Sequence, residues 1–375
     1  MFKETSEFHQ PRTQTAATLL HRLHIDGPLL AGILVIAAFG LFVLYSASGQ
    51  NSAQIIAQSI RLGVALVAML VLAQISPATY RRWSGAGYAL GLALLLVVLI
   101  AGVSGKGAQR WIYIGFRFQP SEIMKVAVPL MAAAYLHARP LPPNFRTLAV
   151  LLAIIATPAF LISRQPDLGT AILIAASGCI VILLAGLRMR VIVSLGALAA
   201  AGLPLLWHNM HQYQRQRVLT LIDPQSDPLG AGYNIIQSKI AIGSGGLFGK
   251  GWTNGSQGQL EYLPERSTDF IFAVIGEEFG LLGLAALMTM YLFVVGRGLF
   301  IASQAGDTFT RLLAGSISLT FFVYVLVNTA MVTGLIPVVG VPLPLISYGG
   351  TSMVTLIGAF GILMSIHTRK RLLPR

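Results

Sequence analysis

Charge is scarce in this sequence. Of its 375 residues only 10% are Asp, Glu, Lys or Arg, while 55% are hydrophobic; soluble domains carry roughly a quarter charged residues. A chain so poor in charge cannot cover a water-facing surface, which excludes a soluble globular domain and puts most of the length inside a bilayer. Acids are scarcer still, 13 against 26 Lys and Arg, for a net charge of +13. In a soluble protein that excess would point to nucleic acid. In a membrane protein it reports topology instead, and no nucleic-acid partner is expected. The single cysteine, Cys179, excludes an intramolecular disulfide. Metal-ligand spacing, a Walker loop, a dinucleotide fingerprint and a serine nucleophile elbow are also missing, as are internal repeats. Residues 1–25 are polar and the first apolar run is long enough to span, so no cleaved signal peptide is expected.

Long apolar runs are what the sequence has instead. Stretches of about 20 apolar residues read as spanning helices. They fall at roughly 27–47, 53–75, 83–103, 121–138, 147–163, 169–187, 191–207, 268–296, 312–334 and 349–367. The expected fold is an all-α polytopic membrane protein, a single membrane domain over 1–375 with about ten transmembrane helices. An even number of spans puts both termini on one side. Lys3, Arg12, Arg22, Arg81, Arg82, Arg139, Arg146, Arg188, Arg190, Arg297, Arg311 and the tail from Arg369 to Arg375 all fall on one face of that weave. Basic connections mark the cytoplasmic side, so both termini are expected there. On the opposite face, residues 104–120 form a short aromatic and basic connection. The loop at 208–267 is far longer than joining two helices requires. Its apolar stretch "YNIIQSKIAIGSGGLFGKGW" argues for a packed element, and activity is expected on this extracytoplasmic side.

Acids inside or at the edge of a span cost several kcal/mol unless paired or solvated, so each is a functional candidate. Glu122 and Lys125 stand three apart in "PSEIMKVAVPL", on one helix face, and a neutralising structural pair is the alternative. Pro120 and Ser121 read as the helix start, with the serine as cap. Arg61 has no acid nearby in sequence and is expected to pair across helices. Asp167, in "RQPDLGTA", reads equally as a helix cap. Glu277 and Glu278 point about 100° apart on a helix and cannot form a facing carboxylate pair. At least one is expected to tie helices together or to face the cytoplasmic half.

Asp269 stands at the seam of "LPERSTDFIFAVIGEEFGLLG", where polar residues give way to an apolar run. Ser267 or Thr268 can cap the helix, which frees the aspartate, and Phe270 and Phe272 would exclude water and suit it to proton abstraction; ion coupling and a plain helix-start acid are the alternatives. The stretch "VPLPLISYGGTS" brings Ser347 and Tyr348 into the last span past two prolines. Broken backbone at membrane depth persists only where it is buried or lines a cavity; a tight re-entry turn is the alternative.

Five stretches together resemble the SEDS family (shape, elongation, division and sporulation proteins). They are "GAQRWIYIGFRFQPSEIMKVA" at 107–127, "RQPDLGTA" at 164–171, "GYNIIQSKIAIGSGGLFGKGW" at 232–252, "QLEYLPERSTDFIFAVIGEEFG" at 259–280 and "GVPLPLISYGGTS" at 340–352. Their order and spacing cover nearly the whole chain, and they are closer to the elongation branch than to the division branch. One departure is Ser267, where histidine is commoner.

The resemblance implies a peptidoglycan glycosyltransferase that polymerises lipid II at the outer face of the bacterial cytoplasmic (inner) membrane. Asp269 matches the family's essential aspartate and is the expected general base. Arg110, Arg215 and Lys239 are candidates to meet the anionic leaving group. Glu122, Lys125 and Arg61 become site support beside Ser347 and Tyr348. A divalent cation, Mg or Mn, is compatible with Asp167, although no metal site is assigned. The implied partners are lipid II and the growing glycan strand, a class B penicillin-binding protein, other elongation-complex membrane proteins and membrane lipid. The competing readings are a flippase for lipid-linked precursors, whose path intramembrane charges would line, and a silent scaffold of a cell-wall synthase.

Overall fold

The computed structural model describes residues 23–105, 108–113, 115, 117–210, 212–227, 230–260 and 262–369. Lys3, Arg12, Arg22, Lys370, Arg371 and Arg375, all used to orient the chain, lie outside the described residues.

Polar caps cut the apolar sequence into helices. Helix α1 (Gly27–Ala47) starts where the Asp26 carboxylate accepts the Leu29 N–H. Helix α2 (Ser52–Gln74) is capped by Asn51 and α3 (Pro77–Ala101) by Ser76. Between α3 and α4 (Ser121–His137) the chain forms an antiparallel meander of β1 (Val103–Gly105), β2 (Ala108–Tyr113) and β3 (Arg117–Phe118). Asn144 caps α5 (Phe145–Ser163), and α6 (Leu168–Leu184) and α7 (Met189–Asn209) follow. The region expected as one long loop is largely ordered. It contains α8 (Gln212–Ile222), a 3-10 turn (Pro224–Ser226), α9 (Ala231–Gly245) and α10 (Ser256–Gln259). The chain ends with α11 (Ile271–Ser303), α12 (Thr308–Val332) and α13 (Thr351–Thr368).

Among the described residues seven helices, α1, α2, α3, α5, α11, α12 and α13, are long and apolar enough to cross a membrane. The protein is therefore a multi-pass membrane protein. Helices α4, α6 and α7 stand at the other three expected positions; α4 and α6 are only 17 residues long. Two thirds of the most apolar window of α12 and of α13 is buried, against 17% in α2. Helices α12 and α13 thus form the centre, and α2 shows most of its surface to lipid.

Contacts at one end of the bundle, the basic end, collect basic residues from the helix ends. Arg81 meets the His137 ring, Arg297 Nη2 lies 2.7 Å from Asp26, His367 Nε2 lies 3.2 Å from the same carboxylate, and Arg369 donates to the Gln74 carbonyl. Burial pushes the Asp26 carboxyl up, but the hydrogen bonds from Arg297 and the Leu29 N–H outweigh it and hold the group below the usual carboxylate range. The β meander and α8–α10 lie at the other end, called the loop end below.

The run read as a single span at 268–296 breaks at Gly280, whose φ of 63° interrupts α11. The break is filled by main chain from the turn after α9. Leu281 and Leu282 N–H groups donate to the Gly246 and Leu247 carbonyls, and Lys250 and Gly251 N–H groups donate to Glu277 and Glu278 carbonyls. Only glycine allows this approach, because a Cβ at Gly249 would stand 2.1 Å from the Glu278 carbonyl oxygen. Both glutamates are buried here, at the loop end, and neither faces the basic end. Glu277 accepts from Lys250 Nζ at 2.7 Å, from Ser256 Oγ, and from the Gln257 and Gly258 N–H groups, while Glu278 accepts from Ser46 Oγ of α1. The pair is a fastener between α11, α1 and the loop.

Candidate functional site

Asp269 stands at the loop end, half-buried, one residue before Phe270, the N-cap of α11. Neither Ser267 nor Thr268 caps that helix: Thr268 Oγ1 donates to Glu265 Oε2 at 2.7 Å instead. The main chain around Asp269 is held from two directions. Asn328, near the C-terminus of α12, donates from Nδ2 to the Asp269 carbonyl at 2.8 Å and to the Val341 carbonyl at 2.7 Å. From the re-entrant segment before α13, Ser347 Oγ donates to the Thr268 carbonyl and the Tyr348 N–H donates to the Ser267 carbonyl at 2.8 Å. Ser347 Oγ also accepts the Leu343 N–H at 2.8 Å. The segment read as broken backbone is broken, with φ of +73° at Gly340 and +66° at Leu345, and it packs directly against the aspartate. A Cβ at Gly340 would stand 3.4 Å from Asp269 Oδ2.

The segment also carries two cationic neighbours. Arg61 of α2 does not pair with an acid across helices: its guanidinium lies 4.4 Å from the centre of the Tyr348 ring, a cation–π contact. One turn back toward the start of α2, Gln58 donates to the Ser347 carbonyl at 3.1 Å and accepts the Gly349 N–H. On α4, Lys125 Nζ lies 2.6 Å from Glu122 Oε1, with both side chains 6% exposed. The same ammonium reaches Ser352 Oγ at 3.4 Å and sits 4.8 Å over the Tyr324 ring of α12. Ser121 does not cap α4; the N-cap is Pro120, with no side-chain bond. Ser121 Oγ and Glu122 Oε2 are buried without a hydrogen-bond partner, as is the Tyr324 hydroxyl.

Asp167 caps α6 through the Thr170 N–H, and its Oδ2 accepts from Arg110 of β2 at 3.2 Å and from Gln119 at 3.3 Å. Both oxygens are thus occupied and a guanidinium is already beside them, which suits an ion-paired cap and not a divalent cation. Among the described residues no three His, Cys, Asp or Glu side chains gather as a metal set. The link to Asp269 runs through Val339, whose carbonyl would meet a Cβ at Gly169 at 3.0 Å, and then Gly340.

The structure therefore brings Asp269, Ser347, Tyr348, Arg61, Glu122, Lys125, Asp167 and Arg110 to one end of the bundle. Arg215, on α8 at the same end, has its donors taken elsewhere. That guanidinium donates to the Trp207 and His208 carbonyls and closes the end of α7. Lys239, on α9, is exposed beside Gly334 at the end of α12. Sequence reasoning missed Gln58, Tyr324 and Asn328. The signal was present in α12, where Thr320, Tyr324 and Asn328 recur every four residues, on one face of an otherwise apolar span.

Such a bundle, with a carboxylate at its polar edge and helix-borne cations, Arg61 and Lys125, packed beside Tyr348 and Ser352, suits a substrate that is polar at one end and lipid at the other. Known proteins agree with that class. The family model for the FtsW/RodA/SpoVE cell cycle proteins matches residues 28–372. The peptidoglycan glycosyltransferase MrdB of Escherichia coli K12 is 50% identical over 360 residues, covering 96% of this chain and 97% of MrdB. A chain of a peptidoglycan synthase complex that coordinates polymerization and crosslinking superposes with a TM-score of 0.80 at 32% identity, over 91% of this chain and 97% of that one. The rod shape determining protein RodA of Thermus thermophilus gives 0.69 at 27% identity, over 91% and 96%. The chain belongs to the FtsW/RodA/SpoVE family, the SEDS proteins.

Proposed function

We infer that this chain is a peptidoglycan glycosyltransferase that polymerises lipid II, working with a class B penicillin-binding protein. Its likeness over nearly full length to MrdB and to a chain of a peptidoglycan synthase complex supports the activity and the partner. The chemistry rests on one observation: Asp269 is a half-buried carboxylate where the polar loop meets the apolar α11, on a main chain tied by Asn328, Ser347 and Tyr348. That is where a disaccharide on a polyprenyl chain presents its sugar.

Asp269 takes the proton from the acceptor GlcNAc 4-hydroxyl. The freed oxygen attacks the donor MurNAc anomeric carbon, and polyprenyl pyrophosphate leaves with inversion. Charge developing on the pyrophosphate calls for fixed cations. Arg110, partly exposed beside Asp167, and Arg61, partly exposed over Tyr348, are the two whose placement suits that role. Lys125 is the buried reserve of positive charge behind them. The decisive test is fluorescent lipid II given to the purified protein: glycan strands are expected. Lipid II translocation without strands would make the protein a flippase, and neither activity would make it a scaffold.

We place the loop end outside the cytoplasmic membrane, because the arginines in and beside the helix connections at the opposite end, Arg81, Arg82, Arg139, Arg146, Arg188, Arg190, Arg297, Arg311 and Arg369, mark that end as cytoplasmic. In a Cys179→Ser background, Ser226→Cys is expected to react with an impermeant thiol reagent in intact spheroplasts and Ser303→Cys is not. Both serines are exposed, one at each end. Labelling of Ser303→Cys alone would invert the assignment.

A further inference from the structure

We propose that Asn328 is the positioning residue of the catalytic aspartate, setting the gap between Asp269 and the Gly340–Val341 turn. The proposal rests on Asp269 being the base. Asn328 is fully buried at the loop end of α12, beside the buried apolar side chains Val325, Met331 and Val332. A carboxamide there costs stability unless its bonds matter, and one of its atoms, Oδ1, has no hydrogen-bond partner. The other, Nδ2, donates to two carbonyls from segments far apart in sequence, Asp269 at 2.8 Å and Val341 at 2.7 Å. The orientation of the amide follows from these contacts, since only the NH₂ can donate to two carbonyl oxygens.

The geometry makes the clamp specific. The Asp269 carbonyl is on the same residue as the reacting carboxylate, so fixing it fixes the Cα from which Oδ2 swings. The Val341 carbonyl follows Gly340, whose open side faces Asp269 Oδ2 and whose φ of +73° gives the turn its shape. One NH₂ group therefore spans the two walls between which the acceptor hydroxyl must approach the base. The other ties, from Ser347 and Tyr348, hold Ser267 and Thr268 and leave the Asp269 carbonyl to Asn328. Both bonds from Asn328 run to main-chain carbonyls, so the asparagine acts through the Asp269 backbone and not on substrate. Misplacing a reacting group by about 1 Å costs on the order of 100-fold in rate, and loss of the clamp frees a main chain that has no helix cap of its own.

The test is steady-state polymerisation of fluorescent lipid II by the purified full chain with its class B penicillin-binding protein. Asn328→Ala is expected to lower kcat by roughly tenfold or more with KM for lipid II within about threefold, because binding elsewhere is untouched. In an Asp269→Glu background, where the base is already displaced, adding Asn328→Ala is expected to cost less than about threefold more, since residues acting as a unit are not additive. Asn328→Ser keeps a hydroxyl donor on a shorter stem and is expected to recover part of kcat. A folded Asn328→Ala with near-normal kcat, a rise in KM at unchanged kcat, or losses that multiply in the double variant would each overturn the proposal. So would failure of both Asn328→Ala and Asn328→Ser to fold, which would make Asn328 a packing residue. Asp269→Asn run alongside separates the two readings. If it stays active, the base assignment fails; if it is inactive while Asn328→Ala is unimpaired, only the positioning role fails.

Discussion

Asp269→Asn is expected to reduce polymerisation to near background, a loss of about 10²–10⁴-fold, the usual contribution of a general base. Asparagine matches the shape of aspartate and can still hydrogen-bond, but it cannot take the acceptor hydroxyl's proton. Folding and partner binding are expected to survive, for a reason visible in the structure. The ties from Asn328, Ser347 and Tyr348 run to the main-chain carbonyls of Asp269, Thr268 and Ser267, and the substitution alters none of those three acceptors. Co-purification with the class B penicillin-binding protein and lipid II binding are therefore the controls, both near wild type. Asp269→Glu is also expected to be poor, because the added methylene moves the carboxylate oxygens by more than near-attack geometry allows. An Asn variant that keeps more than about a tenth of the wild-type rate, a margin set by the low end of the general-base range, would remove Asp269 from the mechanism.

The parts of this protein legible in its sequence are those governed by solvent. Apolar length located the helices, and scarce charge singled out the candidate site, because an acid such as Glu122 or Asp269 at membrane depth has to be explained by what surrounds it. Pairing at short range was also legible: Glu122 and Lys125, three apart, do pair. Contacts between distant segments were not. The break at Gly280 depends on main chain from residues 246–251 filling it, and no local pattern in "EEFGLLG" announces that. The partner of Arg61 turned out to be a ring, Tyr348, and not an acid, since cation–π contacts leave no charge to look for. Arg215 lies at the loop end with the candidate site, yet its donors are taken by the carbonyls that end α7. Asn328 carried a signal that went unread, a polar residue four positions after Tyr324 in an apolar span.

Breaking the Glu122–Lys125 pair is expected to have the second-largest effect, and the structure says which of its two roles each variant tests. With both side chains 6% exposed and 2.6 Å apart, removing either partner strands a charge in low dielectric, a loss of about 3–5 kcal/mol. Lys125→Ala and Glu122→Ala are therefore expected to lose both folded yield and polymerisation. The double swap Glu122→Lys/Lys125→Glu restores neutrality and is expected to restore yield in detergent. Activity is a separate matter. Lys125 also reaches Ser352 Oγ and places its ammonium over the Tyr324 ring, and a carboxylate at position 125 would face that ring's negative π cloud instead. The swapped protein is thus expected to polymerise lipid II at less than about a tenth of the wild-type rate while folding normally, given the several kcal/mol that a correctly placed cation supplies to a developing anion. Full activity in the swap would make the pair structural only. No recovery of yield would mean that the fold needs a cation at position 125 itself, over Tyr324, and not the pair.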